Sequence, residues 1–204
     1  MSVLDRGPTT LPGAEPVAPP APPMTLAEFL ALPDDGIHRE LIEGRVWEED
    51  MTYRDRFHAS VEVQVAYLLE SWRRDRPEPR GQVVSGEAGF RLTTGGRDSL
   101  VGVDVAYVSP EQLAATAPDE RVFDGAPLLA VEVLSGSETH EAIVAKVALY
   151  LAAGAVVWVV DPDFRTVTIH RPGLPPEGLN ETHTLDGAPE LPGFRAAVRD
   201  LFQG

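Results

Sequence analysis

Cysteine is absent from this 204-residue chain, which excludes disulfides, thiolate zinc sites and cysteine nucleophiles. No stretch approaches the roughly 18 apolar residues that a membrane helix needs. The N-terminus carries no basic segment followed by an apolar one, so a secretory signal is not expected. Together these absences point to a cytoplasmic protein with no membrane partner. Positive charge is also scarce. The formal net charge is −15, and indiscriminate nucleic-acid binding is excluded because phosphate contacts need cationic side chains. A local basic patch remains compatible with that balance.

The basic residues are unevenly divided: sixteen arginines stand against one lysine, Lys146. Abundant Ala, Pro and Arg suggest a GC-rich coding background in which Arg replaces Lys wherever either will serve. The two are not equivalent where a compact ammonium is required. The one surviving lysine is therefore a candidate functional residue, to be weighed against chance survival on an exposed helix face.

Residues 1–23 are rich in Pro and Ala, have no periodicity, and read as a disordered tail ahead of a single domain over 24–204. Thr25 with Glu28 has the form of a capping box, and Pro33 ends the short helix behind it. Residues 39–49 read as a hairpin around Glu43-Gly44. Thr52 and Asp55 are possible caps for a long amphipathic helix. Its apolar residues are Phe57, Val61, Val65, Leu68, Leu69 and Trp72, and it stops near Pro77. Arg73, Arg74, Arg76 and Arg80 at its end suit the helix dipole better than a phosphate site.

Strands are expected at about 82–92 and 100–108, with Gly95-Gly96 in the turn, and Ser109-Pro110 opens a short helix. The run Leu-Leu-Ala-Val-Glu-Val-Leu over 128–134 suits a strand covered on both faces. A helix over about 138–153 ends at Gly154, Val156–Val160 is a second buried strand, and Thr166–Arg171 alternates as a half-exposed one. A proline-rich loop, one more short strand and a terminal turn follow. This order predicts an α/β (α+β) fold with a central mixed β-sheet flanked by helices, the 138–153 helix being the crossover of a βαβ unit.

Two acids sit where apolar residues belong. Glu132 lies mid-strand between Val131 and Val133, where a carboxylate is costly unless paired or metal-bound. Asp104 lies in Val-Gly-Val-Asp-Val-Ala-Tyr-Val, and strand parity places it with Gly102 and Ala106 on one face, opposite Val103 and Val105. Two such acids on adjacent strands suit a hard divalent cation, and magnesium prefers a couple of carboxylates together with water and phosphate. Lys146 follows in the next helix, whose packed side should carry Ile143, Val144, Val147, Tyr150 and Leu151. From its flank the ammonium can lean over the strand ends. His58, His140 and His170 show no metal-ligand spacing with one another, although His58, near the start of the long helix, lies close enough to approach the site.

The segments His38-Arg39-Glu40-Leu41-Ile42-Glu43-Gly44, Val103-Asp104-Val105, Glu132-Val133-Leu134-Ser135, Lys146 with Tyr150, Ala153-Gly154 and Trp158-Val159-Val160-Asp161-Pro162 carry a resemblance. In order and spacing, from about residue 25 to 202, the chain resembles the Uma-two family of predicted restriction endonucleases, within the PD-(D/E)XK nuclease superfamily. The resemblance implies a restriction-endonuclease-like core and Asp104 and Glu132 as metal ligands, aided by the Val133 carbonyl. Most of the superfamily places its lysine two residues after the glutamate. Here Leu134 stands there, and Lys146 matches a family lysine on the next helix. Glu40 matches a family acidic position, with either a site role or a structural role in the hairpin. Val103, Gly136 and Ala142 depart from the common pattern.

The expectation is a magnesium-dependent endonuclease acting on DNA, with manganese as a possible substitute ion and a homodimer if both strands are cut. The alternatives are a non-catalytic nuclease-fold module that binds DNA or a protein partner, and a small-molecule phosphohydrolase.

Overall fold

The computed structural model describes residues 22–49, 55–136 and 139–203. The expected tail and the Thr52 cap fall outside the described residues, apart from the tail's last two positions.

Thr25 and Glu28 form the predicted capping box on α1 (Leu26–Leu30), each side chain bonding the other's backbone N–H. The hairpin of β1 (His38–Ile42) and β2 (Arg45–Glu49) turns through Glu43 and Gly44, both at positive φ (49° and 85°). Two such residues in succession make the turn whose twist matches paired strands. Asp55 caps α2 (Arg56–Arg74). The long hairpin of β3 (Gln82–Thr94) and β4 (Arg97–Val108) comes next, then α3 (Pro110–Ala115), β5 (Phe123–Asp124), β6 (Leu129–Val133), α4 (His140–Ala152), β7 (Val156–Asp161) and β8 (Thr166–His170). The proline-rich region holds three short strands where one was expected, β9 (Glu177–Asn180), β10 (Thr184–Asp186) and β11 (Arg195–Ala197), before a 3-10 turn over Val198–Phe202.

The main sheet runs β2-β1-β4-β6-β7-β8-β9, with β3 also on β4 and β5 on β3. It is mixed: β6 pairs β7 in parallel across the α4 crossover, and most other pairs are antiparallel. One face packs on α2 through Val61, Val65 and Leu69 against Val105, Leu129, Val131 and Trp158. The other packs on α4 through Val147, Leu149 and Tyr150 against Val103, Ala106, Ala130 and Val157. Each large apolar side chain fully withdrawn from water contributes about 1.5–3 kcal/mol. β6 and β7 feed both layers, so their sequences are continuous apolar runs.

Two expectations about faces are corrected. Val103 and Val105 do not share a face: Val103 packs with Ala106 on the α4 side and Val105 on the α2 side. The alternation breaks at Asp104, where β3 bulges between Ser85 and Ala88 and re-aims the strand opposite. Val144 is not on the packed side of α4 but 52% exposed. That helix's buried face is centred on Lys146 and Tyr150, one turn apart, and Val144 falls beyond it. The arginines at the end of α2 are held structurally. Arg73 and Arg74 bond Glu70, Arg76 bonds the Pro192 carbonyl, and Arg80 bonds the Arg76 carbonyl. Among the described residues, no helix is long and apolar enough to cross a membrane.

Candidate active site

The site arises where the sheet forks. One edge of β4 pairs with β3 throughout. The other is shared, by β1 at Leu100 and by β6 from Val105 to Tyr107. Among the described residues no strand pairs with the stretch between, and its backbone groups need other partners. The Gly102 N–H donates to Glu40 Oε1 at 2.8 Å, and the Gly102 carbonyl accepts from the Tyr150 hydroxyl at 3.2 Å. Beyond Val105 the Asp104 carboxylate takes the ladder's place, accepting the Val133 N–H at 2.7 Å. Polar side chains thus enter an otherwise apolar sheet because the fork leaves backbone groups for them to satisfy.

The four acidic and basic side chains that the sequence singled out lie at this fork, all buried. The Lys146 ammonium is 2.7 Å from Glu132 Oε2 and 3.4 Å from Glu40 Oε1. Glu132 Oε1 accepts the Tyr150 hydroxyl at 2.8 Å. Asp104 lies across the fork, its Oδ2 3.3 Å from His58 Nε2 on α2. Val133 contributes its N–H to Asp104. Glu40 therefore does more than brace a hairpin, since it bridges the β4 backbone and the lysine.

The electrostatics follow from crowding acids in a dry place. Burial raises the Glu132 pKa to about 8, with the charges of Asp104 and Glu40 adding to the rise and Lys146 opposing it. Burial pulls Lys146 down, but the Glu132 charge and, after it, Tyr150 and Glu40 more than offset that, so its pKa lies well above the usual lysine value. Asp104 goes the other way. Burial pushes it up, but the His58 contact, the charge of Lys146 and the Val133 N–H hold it below the ordinary carboxylate value. Acid and base on the Glu132–Lys146 side both cling to protons, Glu132 chiefly because it is buried and Lys146 because of the acids around it.

The raised Glu132 pKa predicts a pH dependence. The folded protein keeps the Glu132 proton up to about pH 8, whereas the unfolded chain releases it near 4.5. The folded state binds more protons through that window, so stability falls as pH rises across it. The ion-free protein should show a falling Tm from about pH 4.5 to about 8, and Glu132→Gln should flatten that limb. Parallel curves for the two proteins would remove Glu132 as the cause.

Three participants were not picked out from the residues' own chemistry. His58 was noted only for its place near the start of the long helix, yet it lies on the buried stripe of α2 with Val61, Val65 and Leu69, and that spacing was the available signal. Its ring nitrogens, Glu62 and Asp104 offer ligand atoms within 4.8 Å of one another. Tyr150 is expected on the packed side of its helix, but its phenol carries no sign of the Glu132 bond. Glu87 sits in the β3 bulge at φ 61° and reaches over Gly102, where any Cβ would collide with its carboxylate. It groups with His38 and Glu40, again within 4.8 Å. Its signal was the Ser-Gly-Glu-Ala break in strand alternation.

A mixed sheet between helices, with acids and a lysine gathered at a fork in the central strands, defines a nuclease-like fold. The profile of the Uma2 family, described as "Putative restriction endonuclease", matches residues 26–199, and the chain belongs to that family. The structure is similar to that of a "putative nuclease belonging to DUF820" from Anabaena variabilis ATCC 29413. The TM-score is 0.74 at 22% identity, covering 88% of this chain and 98% of that one. No curated protein matches the chain.

Proposed function

We propose that the protein is a magnesium-dependent endonuclease that hydrolyses DNA phosphodiester bonds at the β4–β6 fork. The observation that carries this reading is the Lys146 ammonium, buried and held between Glu132 and Glu40 with Asp104 across the fork. The donor set fits a hard cation: Asp104, Glu132 and Glu40 supply only oxygen, against one resident ammonium. Asp104 and Glu132 would hold the ion, with the Val133 carbonyl beside them, and manganese would substitute for magnesium. When bound, the ion supplies Lewis-acid stabilisation of the phosphate and a more acidic water.

The protein's own groups do the rest. Glu132 and Glu40 aim the Lys146 ammonium, which donates to the attacking water or to a phosphate oxygen as charge develops. His58 and the Val133 N–H fix the rotamer of Asp104 and keep it ionised. Tyr150 locks Glu132. A site built from rigid strands and one helix face loses little to reorganisation as charge appears.

The assay is conversion of supercoiled plasmid to nicked and linear forms by the full chain, with magnesium, with manganese and with chelator. Nicking that needs a divalent ion and fails with chelator is expected. A second reading, a non-catalytic module that binds DNA or a protein, is favoured by one observation: all four groups are buried and already partnered, Lys146 by Glu132 and Glu40, and Asp104 by His58 and the Val133 N–H. Intact plasmid under both metals, with measurable DNA binding, would decide for the module.

A further inference from the structure

A groove of about 530 Å³ is lined by Arg56, Phe57, Ser60 and Val61 of α2, Pro162 and Arg165 of the β7–β8 turn, and Phe202 of the terminal 3-10 turn. Its volume is within the roughly 300–1,000 Å³ of small-molecule sites. Its walls pair cations with aromatic rings. The Arg56 guanidinium is 4.5 Å from the centre of the Phe57 ring, and that of Arg165 is 5.3 Å from the Phe202 ring. Phe57 is 53% exposed, so its ring is open to a ligand in the groove. Arg165 is bonded to Glu181 at 2.7 Å. Among the described residues Arg56 has no acid within ion-pair distance, although the chain carries 32 acids against 17 bases.

The groove and the fork share two elements, α2 and the end of β7. His58, which meets Asp104, belongs to the same helical turn as Phe57 and Val61. Val133 and Val160 are register partners at the ends of β6 and β7, and Pro162 follows directly after β7.

We propose that this groove takes one unstacked nucleotide of a single DNA strand, its base against Phe57 or Phe202 and its phosphate at Arg56, so that the enzyme prefers single-stranded or frayed DNA to duplex. The inference deepens the nuclease reading and rests on it for the choice of nucleic acid. Charge argues for a single strand. A chain at −15 repels the dense phosphates of a duplex, and two arginines offer few counter-contacts. Stacking on an aromatic face adds affinity without needing more cations, and it is open only to a base outside a duplex. A concave groove with a ring on either side also gives a flat duplex surface little to rest on.

The test is fluorescence anisotropy of the full chain in chelator, with a labelled oligodeoxynucleotide offered single-stranded or as a blunt duplex of the same sequence. The single strand should bind about tenfold tighter or better. Phe57→Ala should weaken it about tenfold, while Phe57→Tyr keeps the ring and the affinity. Arg56→Ala should flatten the log–log salt dependence by about 0.7, a change Phe57→Ala should not make. Both side chains are exposed, so an unaltered Tm is expected of the variants.

Equal binding of the two DNA forms would overturn the inference, as would wild-type affinity in both alanine variants, or a dimer that Phe57→Ala dissolves. Plasmid nicking that survives alongside such results would leave the nuclease reading standing. Phe57- and Arg56-dependent strand binding without cleavage under either metal would do the reverse.

Discussion

Asp104→Asn is expected to remove metal-dependent nicking by on the order of 10³-fold or more, with the fold intact. The change is nearly isosteric. An asparagine oxygen can still accept the Val133 N–H, which the aspartate takes at 2.7 Å, so the strand end keeps its partner. What disappears is the formal charge of one of the two acids proposed to hold the ion. Asp104 is the acid of the pair best kept ionised, since His58, Lys146 and Val133 all favour its charged form. Glu132, with its pKa raised to about 8, cannot replace that charge. Asparagine also exchanges a charged partner of His58 for a neutral one, at a cost of about 1–3 kcal/mol in stability. The measurements are the nicking rate and a urea melt on the same preparation. A variant that nicks within tenfold of the parent would remove Asp104 from the reaction, and one that does not fold would shift the test to Glu132→Gln.

The main elements were legible because each obeys a local rule. The Thr25–Glu28 box, the Glu43-Gly44 turn, the continuous run of β6 and the stripe of α2 all follow from backbone chemistry or periodicity. The candidate site was legible for a related reason: Glu132 and Asp104 violate the pattern of the strands that carry them, and such violations concentrate at functional or strained positions. What the sequence concealed is non-local. Only the pairing of β4 with β1 at one end and β6 at the other creates a fork whose Gly102 groups call for Glu40 and Tyr150. Only the bulge at Gly86 and Glu87 breaks the alternation around Asp104 and defeats strand parity. His58 is legible only as a neighbour of the site, because its place on an apolar helix face puts it indoors without showing that it faces Asp104.

The lysine carries the second large effect. Lys146→Met should cost about 3–5 kcal/mol above about pH 8, where Glu132 ionises, because it strands Glu132 and Glu40, both buried, without their cation. The loss should grow with pH, since protonation of Glu132 relieves it at the acid end and ionisation restores the penalty above. Lys146→Met with Glu132→Gln should recover most of the stability, because a neutral amide can keep the Tyr150 hydrogen bond and leaves less charge to compensate. The coupling from the cycle should therefore be large and positive for a pair 2.7 Å apart. Arginine should not rescue the site: its planar fork spreads the charge and needs more room than a closed pocket gives a compact ammonium. Activity separates the two roles of the residue. The double variant should regain its fold and remain unable to nick DNA, because the donor aimed at the phosphate is gone. A single variant as stable as the parent would mean that the ammonium is not the cation these acids depend on. A restored double variant that cleaves DNA would take Lys146 out of the chemistry altogether.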